Sequence, residues 1–176
     1  MKYLSALIVA SLILPSSELN AETFKNTNDN QNGKTFGQLM SWVLDGEKSP
    51  EKISIDTSDE WKSINSQDES YAIWIGHATY LINNGDINIL TDPIFSKRAS
   101  PLGFAGPKRM IPPAMTLEDL PLIDVVVVSH NHYDHFDIYS LKRLHKLNPE
   151  TVFLVPIGDK KRLKNRGLTH VHELRW

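Results

Sequence analysis

From Tyr71 onward the apolar positions fall into short runs separated by turn-forming residues, the pattern of a sheet crossed by helices. Residues 71–75 and 80–82 read as strands. Asn83-Asn84-Gly85-Asp86 then turns the chain into a returning strand over 87–91, because Asn-Gly readily adopts the left-handed backbone of a tight hairpin. Pro93 ends that strand, having no N–H to give to a ladder. Residues 96–115 hold four prolines and two glycines without any period and predict a long loop, of a length that usually serves function. Thr116 and Asp119 have the spacing of a capping box and predict a short helical turn. Residues 123–128 are β-branched except at Asp124, which predicts a strand covered on both faces. Asp137 then caps a helix with Ile138, Leu141, Leu144 and Leu147 on one stripe, stopped by Asn148-Pro149. A strand over 151–155, a short basic helix over 159–164 and a strand over 169–174 complete a layered α/β pattern.

The preceding residues differ in kind. Met1-Lys2, an apolar run of eleven residues from Leu4 to Leu14, Pro15 and Leu19-Asn20-Ala21 have the order of a secretory signal peptide over 1–21. The run is shorter than the ~20 residues a membrane-spanning helix needs. Export to the periplasm or another extracytoplasmic space is therefore expected, with an uncleaved N-terminal anchor as the alternative. Residues 22–70 read as a mobile tether and lead-in, carrying a short amphipathic helix around Phe36, Leu39, Met40, Trp42, Val43 and Leu44. Residues 71–176 are the organised domain.

Composition narrows the chemistry. The 176 residues include 19 Lys+Arg against 21 Asp+Glu, for a net charge of −2, so no nucleic-acid partner is expected. There is no cysteine, which excludes disulfides, thiolate metal sites and a cysteine nucleophile, whereas seven histidines are present. Any metal must be held by imidazole and carboxylate.

Three of those histidines cluster with an aspartate at the end of the apolar strand, in Ser129-His130-Asn131-His132-Tyr133-Asp134-His135. Side chains two apart on extended backbone point the same way, so His130 and His132 can face one ion. The turn that must follow aims Asp134 and His135 at a second position. Imidazole and carboxylate suit zinc. A surface or incidental His-rich tract is the bland alternative, and it does not account for the position of the cluster at the end of a buried strand.

These residues resemble the signature of the metallo-β-lactamase fold superfamily. Together with Trp74-Ile75-Gly76-His77-Ala78-Thr79, Leu90-Thr91-Asp92-Pro93-Ile94-Phe95, Arg98-Ala99-Ser100-Pro101 and Gly106-Pro107-Lys108-Arg109, they resemble the N-acylphosphatidylethanolamine-hydrolysing phospholipases D and their bacterial relatives. The resemblance implies an αββα sandwich, two zinc ions per complete site, and phosphodiester hydrolysis of an N-acylated ethanolamine phospholipid. It assigns His130 and His132 to the first zinc and Asp134 and His135 to the second, with Asp134 also orienting the attacking hydroxide or handling its proton. That family takes further ligands from later in its chain, so the sequence resembles the N-terminal half of the domain. A complementing C-terminal half is an expected partner, and an inactive fragment is the rival reading. Another phosphodiesterase or a lactonase on the same scaffold is the alternative within enzymes.

Other residues carry two readings. His77 lines the site mouth or is a packed histidine. Asp92 orients a ligating histidine from behind or simply starts a turn. Lys108 and Arg109 meet a substrate phosphate or are solvated. Phe95, Leu102 and Phe104 meet acyl chains, as at a membrane surface, or pack in the core or the loop. His145, His170 and His172 read as structural rather than ligating. The basic run Lys160, Lys161, Arg162, Lys164 and Arg166 reads as a solvated face.

Overall fold

The computed structural model describes residues 57–64, 70–101, 103, 104 and 106–175, together with Gly37 and Ser41, which are helical. The chain divides into two units, Met1–Lys52 and Ile53–Trp176. The expected signal segment and most of the tether, including all of its expected amphipathic helix but Gly37 and Ser41, lie outside the described residues. Among the described residues no helix is long and apolar enough to cross a membrane.

The second unit opens with a 3-10 turn, Glu60–Ser63, and continues as β1 (Tyr71–Gly76), β2 (Thr79–Asn83), β3 (Asn88–Thr91), β4 (Val125–Val127), α1 (Ile138–Leu147), β5 (Val152–Pro156), α2 (Lys160–Lys164) and β6 (Val171–Leu174). The strands form one mixed sheet in sequence order. β1, β2 and β3 are antiparallel neighbours, and β3 through β6 run parallel. The Asn-Gly hairpin forms as the sequence predicts, with Gly85 at φ +96° and the Asn84 side chain accepting from the N–H groups of Asp86 and Ile87.

A single cross-strand row shows why this register is chosen. Leu81, Leu90, Val126, Phe153 and Val171 pair successively across β2 to β6. None is more than 2% exposed. Slipping any strand by one residue would turn its member of the row to the other face. Leu141 and Leu144 of α1 and Leu163 of α2 belong to the same apolar cluster. Asp124 interrupts the β-branched run for a structural reason: its carboxylate accepts from Asn88 N–H at 2.8 Å and pins β4 against β3.

Two expectations change in detail. Val126 and Val128 are buried but Val125 and Val127 only half so; among the described residues the strand is covered fully on one face. Thr116 and Asp119 do bond to each other, through Thr116 N–H and Oγ to Asp119 Oδ2, yet they close a turn and not a helix. Pro121 follows too soon for a helix to continue.

Parallel strands place their C-terminal ends on one edge, the edge where such sheets carry their sites. Here that edge presents Asp92 after β3, the histidine cluster after β4 and Asp159 after β5.

Candidate metal centre

The β4 strand ends at Val127, and beyond Ser129 the chain makes a tight turn in which the N–H groups of His135 and Phe136 both donate to His132 O, at 3.0 and 2.7 Å. Phe136 drops into the core. The turn brings the rings of His130 and His132 to a centroid separation of 4.6 Å and those of His130 and His135 to 4.0 Å.

His130 Nε2 and His132 Nδ1 face each other at 3.1 Å. Two nitrogens bound to one tetrahedral zinc at about 2.05 Å each lie about 3.3 Å apart, so this pair is spaced for a shared cation. A second group forms beside it. Asp134 Oδ2 lies 3.5 Å from His135 Nε2 and 3.0 Å from His77 Nε2. Ligand atoms of His77, Asp134 and His135 all fall within 4.8 Å of one another. The donor set is imidazole and carboxylate throughout, and its spacing fits metal ions.

His77 reaches this position through its backbone. It follows Gly76, at φ +140°, and itself has φ +52°. A left-handed conformation in a non-glycine residue costs on the order of 1–3 kcal/mol and persists only where the surroundings hold it. Trp74 Nε1–H, donating to His77 O at 2.9 Å, is one such restraint. The sequence left His77 either at the mouth of the site or packed; the structure sets its Nε2 against the Asp134 carboxylate, a candidate ligand, and on the cavity wall.

Asp92 lies behind the cluster. It too has positive φ, +36°, and is held by its own N–H donating to Val127 O and by Thr79 Oγ donating to its carbonyl, both at 2.8 Å. Its buried carboxylate accepts from Ser129 N–H and Ser129 Oγ–H at 2.7 Å each and from His135 Nδ1 at 2.8 Å. In the neutral ring the proton of His135 is thereby held at Nδ1, which leaves Nε2 as the lone-pair nitrogen on the side of Asp134.

Electrostatics favour the metal-binding protonation states. Burial, then the positive charge of His135 and His132, lowers the pKa of His130, while Asp92 and Asp134 oppose the shift. For Asp134 burial pushes the pKa up. Its own backbone N–H and the positive charge of His135 and His77 outweigh that, so the carboxyl sits below its usual range.

A cavity of about 700 Å³ opens beside these groups. His77, His132 and Asp134 form one wall and Trp74, Ile94, Met110 and Ile111 supply apolar lining, with Lys108 and Arg109 on the long-loop side. The Arg109 guanidinium donates to Ile94 O, and more weakly to Ser96 O at 3.4 Å. Burial lowers its pKa against the opposing charge of Asp137, and it remains a cation at neutral pH. Lys108 and Arg109 are thus both beside the candidate ligands, Lys108 exposed and Arg109 anchored.

Other histidines are engaged elsewhere: His145 packs edge-on to Phe153, His170 lies 3.8 Å from Glu150, and His172 pairs with Leu154 in the sheet. Phe95 is half-buried against the core, Phe104 is 78% exposed, and Leu102 lies outside the described residues. Three site-shaping residues had no individual role in the sequence reading. Ser129 bridges Asp92 and His130, and Asn131 donates to Asp159 Oδ1 at 3.3 Å, tying the cluster to the end of β5. Only the hydroxyl in Ser129-His130 was a visible signal.

The family of β-lactamase superfamily domains matches residues 87–176, half of the chain. The chain belongs to the β-lactamase superfamily. It is of the metallo-β-lactamase fold, within a family of metal-dependent hydrolases. Over 116 residues it is 47% identical to the N-acyl-phosphatidylethanolamine-hydrolyzing phospholipase D 1 of Caenorhabditis elegans, covering 63% of this chain and 33% of that protein. It is 37% identical over 108 residues to the mitochondrial N-acyl-phosphatidylethanolamine-hydrolyzing phospholipase D of Saccharomyces cerevisiae, covering 60% of this chain and 22% of that one. The chain therefore spans a third or less of the length of these two relatives. Among solved structures it is similar to an isothiocyanate hydrolase from Delia radicum gut bacteria, with a TM-score of 0.47 and 20% identity over 59% of this chain and 41% of that one.

Proposed function

We propose that the superfamily chain carries a two-zinc centre for phosphodiester hydrolysis, with N-acylated ethanolamine phospholipids as its substrate class. The observation that carries this reading is the meeting of two ligand groups and a cationic, otherwise apolar cavity at one sheet edge. His130 and His132 hold one ion; Asp134 and His135, with His77 beside them, hold the other. Bound zinc supplies a water of lowered pKa and stabilises charge on the attacking and leaving oxygens. The side chains gathered here would leave positions on such ions open to water, substrate or a partner chain.

The remaining work falls to the chain's own groups. Asp134, with its carboxyl held low, is a weak base and serves to ligate and orient. Arg109 and Lys108 meet the phosphate, and charge-assisted bonds there both bind and position it. Trp74, Ile94, Met110 and Ile111 exclude water and receive the aliphatic part of the substrate. The two phospholipases similar to this chain support the substrate class. Encounter at a membrane surface after export belongs to the same proposal.

The test is to incubate the purified chain with zinc and vesicles containing N-acylphosphatidylethanolamine. The expected products are N-acylethanolamine and phosphatidic acid, with turnover abolished by a chelator, restored by zinc and lost in His130→Ala. A zinc-loaded chain that leaves this lipid intact but opens lactones would replace the substrate class. A chain that binds no zinc would overturn the metal centre itself.

A further inference from the structure

Ser129 makes a set of contacts that its single proton can satisfy in one way. Its Oγ lies 2.7 Å from Asp92 Oδ2, 2.9 Å from His130 Nδ1 and 3.5 Å from His135 Nδ1. An ionised carboxylate only accepts hydrogen bonds, so the hydroxyl proton goes to Asp92. The oxygen must then accept, and the neighbour able to donate at a normal distance is His130 through Nδ1–H. His135 gives its own Nδ1–H to the same carboxylate directly, at 2.8 Å.

We infer that Ser129 is a positioning residue that relays the Asp92 carboxylate to His130, so that one buried carboxylate sets the tautomers of two ligating histidines. With Nδ1 protonated on both rings, His130 presents a lone pair at Nε2 toward His132, and His135 presents one at Nε2 toward Asp134. Each of the two ligand groups thus receives an oriented imidazole from one anchor. The left-handed backbone of Asp92 is fixed from β4 and from Thr79, and its side chain reaches His135 directly and His130 through Ser129. Without the hydroxyl, His130 loses its reason to keep the proton at Nδ1 and favours the Nε2–H form that is more stable for a free histidine side chain. Metal must then displace that proton and pay for reorienting the ring.

The inference rests on the metal-centre reading, but its direct test needs no metal. In the full chain labelled with ¹⁵N-histidine, metal-free and above the imidazole pKa, long-range ¹H–¹⁵N correlations report each tautomer. In the wild type His130 and His135 should both be protonated at Nδ1. In Ser129→Ala, His130 should move to the Nε2–H form while His135 keeps Nδ1–H; Ser129→Thr, retaining a hydroxyl, should restore the wild-type pattern. Zinc affinity, measured by chelator competition, should fall about 10- to 100-fold in Ser129→Ala, the usual cost of losing such an outer partner, and recover in Ser129→Thr. A wild-type His130 protonated at Nε2, or a His130 signal unmoved in Ser129→Ala, would overturn the relay. The wild-type spectrum alone decides this if the alanine variant fails to fold. A chain with the expected tautomers that binds no zinc would leave the relay standing and overturn the metal centre.

Discussion

Two segments wall the same cavity and are held by opposite means. The ligand turn, 129–136, is fixed from inside: Ser129 and His135 bond to a buried carboxylate, Asn131 is tied to buried Asp159, and Phe136 is 1% exposed. The long loop, 96–115, is fixed mainly to itself and at its ends. Ala99 and Arg109 N–H groups pair with Pro107 and Lys97 carbonyls, Arg98 donates to Gly106 O at 2.6 Å, and Ala114 N–H reaches Ile75 O. Met110 and Phe104 remain largely exposed on it. The candidate ligands sit on the segment anchored to buried groups, while part of the apolar and cationic lining of the cavity sits on the loop bonded largely to itself.

The sharpest way to break this contrast is through Phe136. Phe136→Ala removes a buried ring just after the last candidate ligand and should destabilise the fold by about 3–5 kcal/mol in urea unfolding. A loss below about 1 kcal/mol would mean that the turn is not anchored through the core. Next comes a paired test: Asp92→Asn should weaken zinc binding about 10- to 100-fold, whereas Arg109→Ala should leave zinc affinity unchanged and raise KM for the phosphodiester. If Arg109→Ala weakened zinc binding as much, the two segments would not be separable.

A smaller effect is expected from pH. The folded site holds His130 neutral more strongly than the unfolded chain does, so as pH falls the unfolded state takes up that proton first. The associated stability is fully present above about pH 6.5 and is lost below it, until the folded site also protonates. Asp134, with a depressed pKa, contributes stability present above about pH 3.9 and lost as pH falls through its folded value. The urea midpoint of the metal-free chain should therefore begin to fall just below pH 6.5, and less so in His130→Asn. A wild-type midpoint flat from pH 8 to 5 would contradict this. Smallest of all, Phe104→Ser on the exposed loop should change stability by no more than about 0.5 kcal/mol, read from the same unfolding curves.

Much of the fold was legible because it is local. The Asn84-Gly85 turn, the Asp137 cap, whose side chain accepts from Tyr139 N–H, and the β-branched run of β4 each declare themselves within a few residues. The clustering of His130, His132, Asp134 and His135 is local too. The illegible parts are long-range. Nothing in the sequence places His77 against Asp134, 57 residues away, or Arg109 against Ile94 O. Asp159 read only as the start of a basic helix; its side chain makes no capping bond and instead meets Asn131 and Arg162. Ser129 was visible as a residue, but its role depends on Asp92, brought beside it only when β3 and β4 pair.

The central claim is that one sheet edge gathers metal ligands, and zinc titration of the ¹⁵N-histidine-labelled chain tests it directly. His130, His132 and His135 should shift together as zinc is added, with His77 moving alongside them through Asp134. His145, His170 and His172 should stay in place. Zinc that leaves the cluster unmoved, or that shifts those last three histidines instead, would contradict the account.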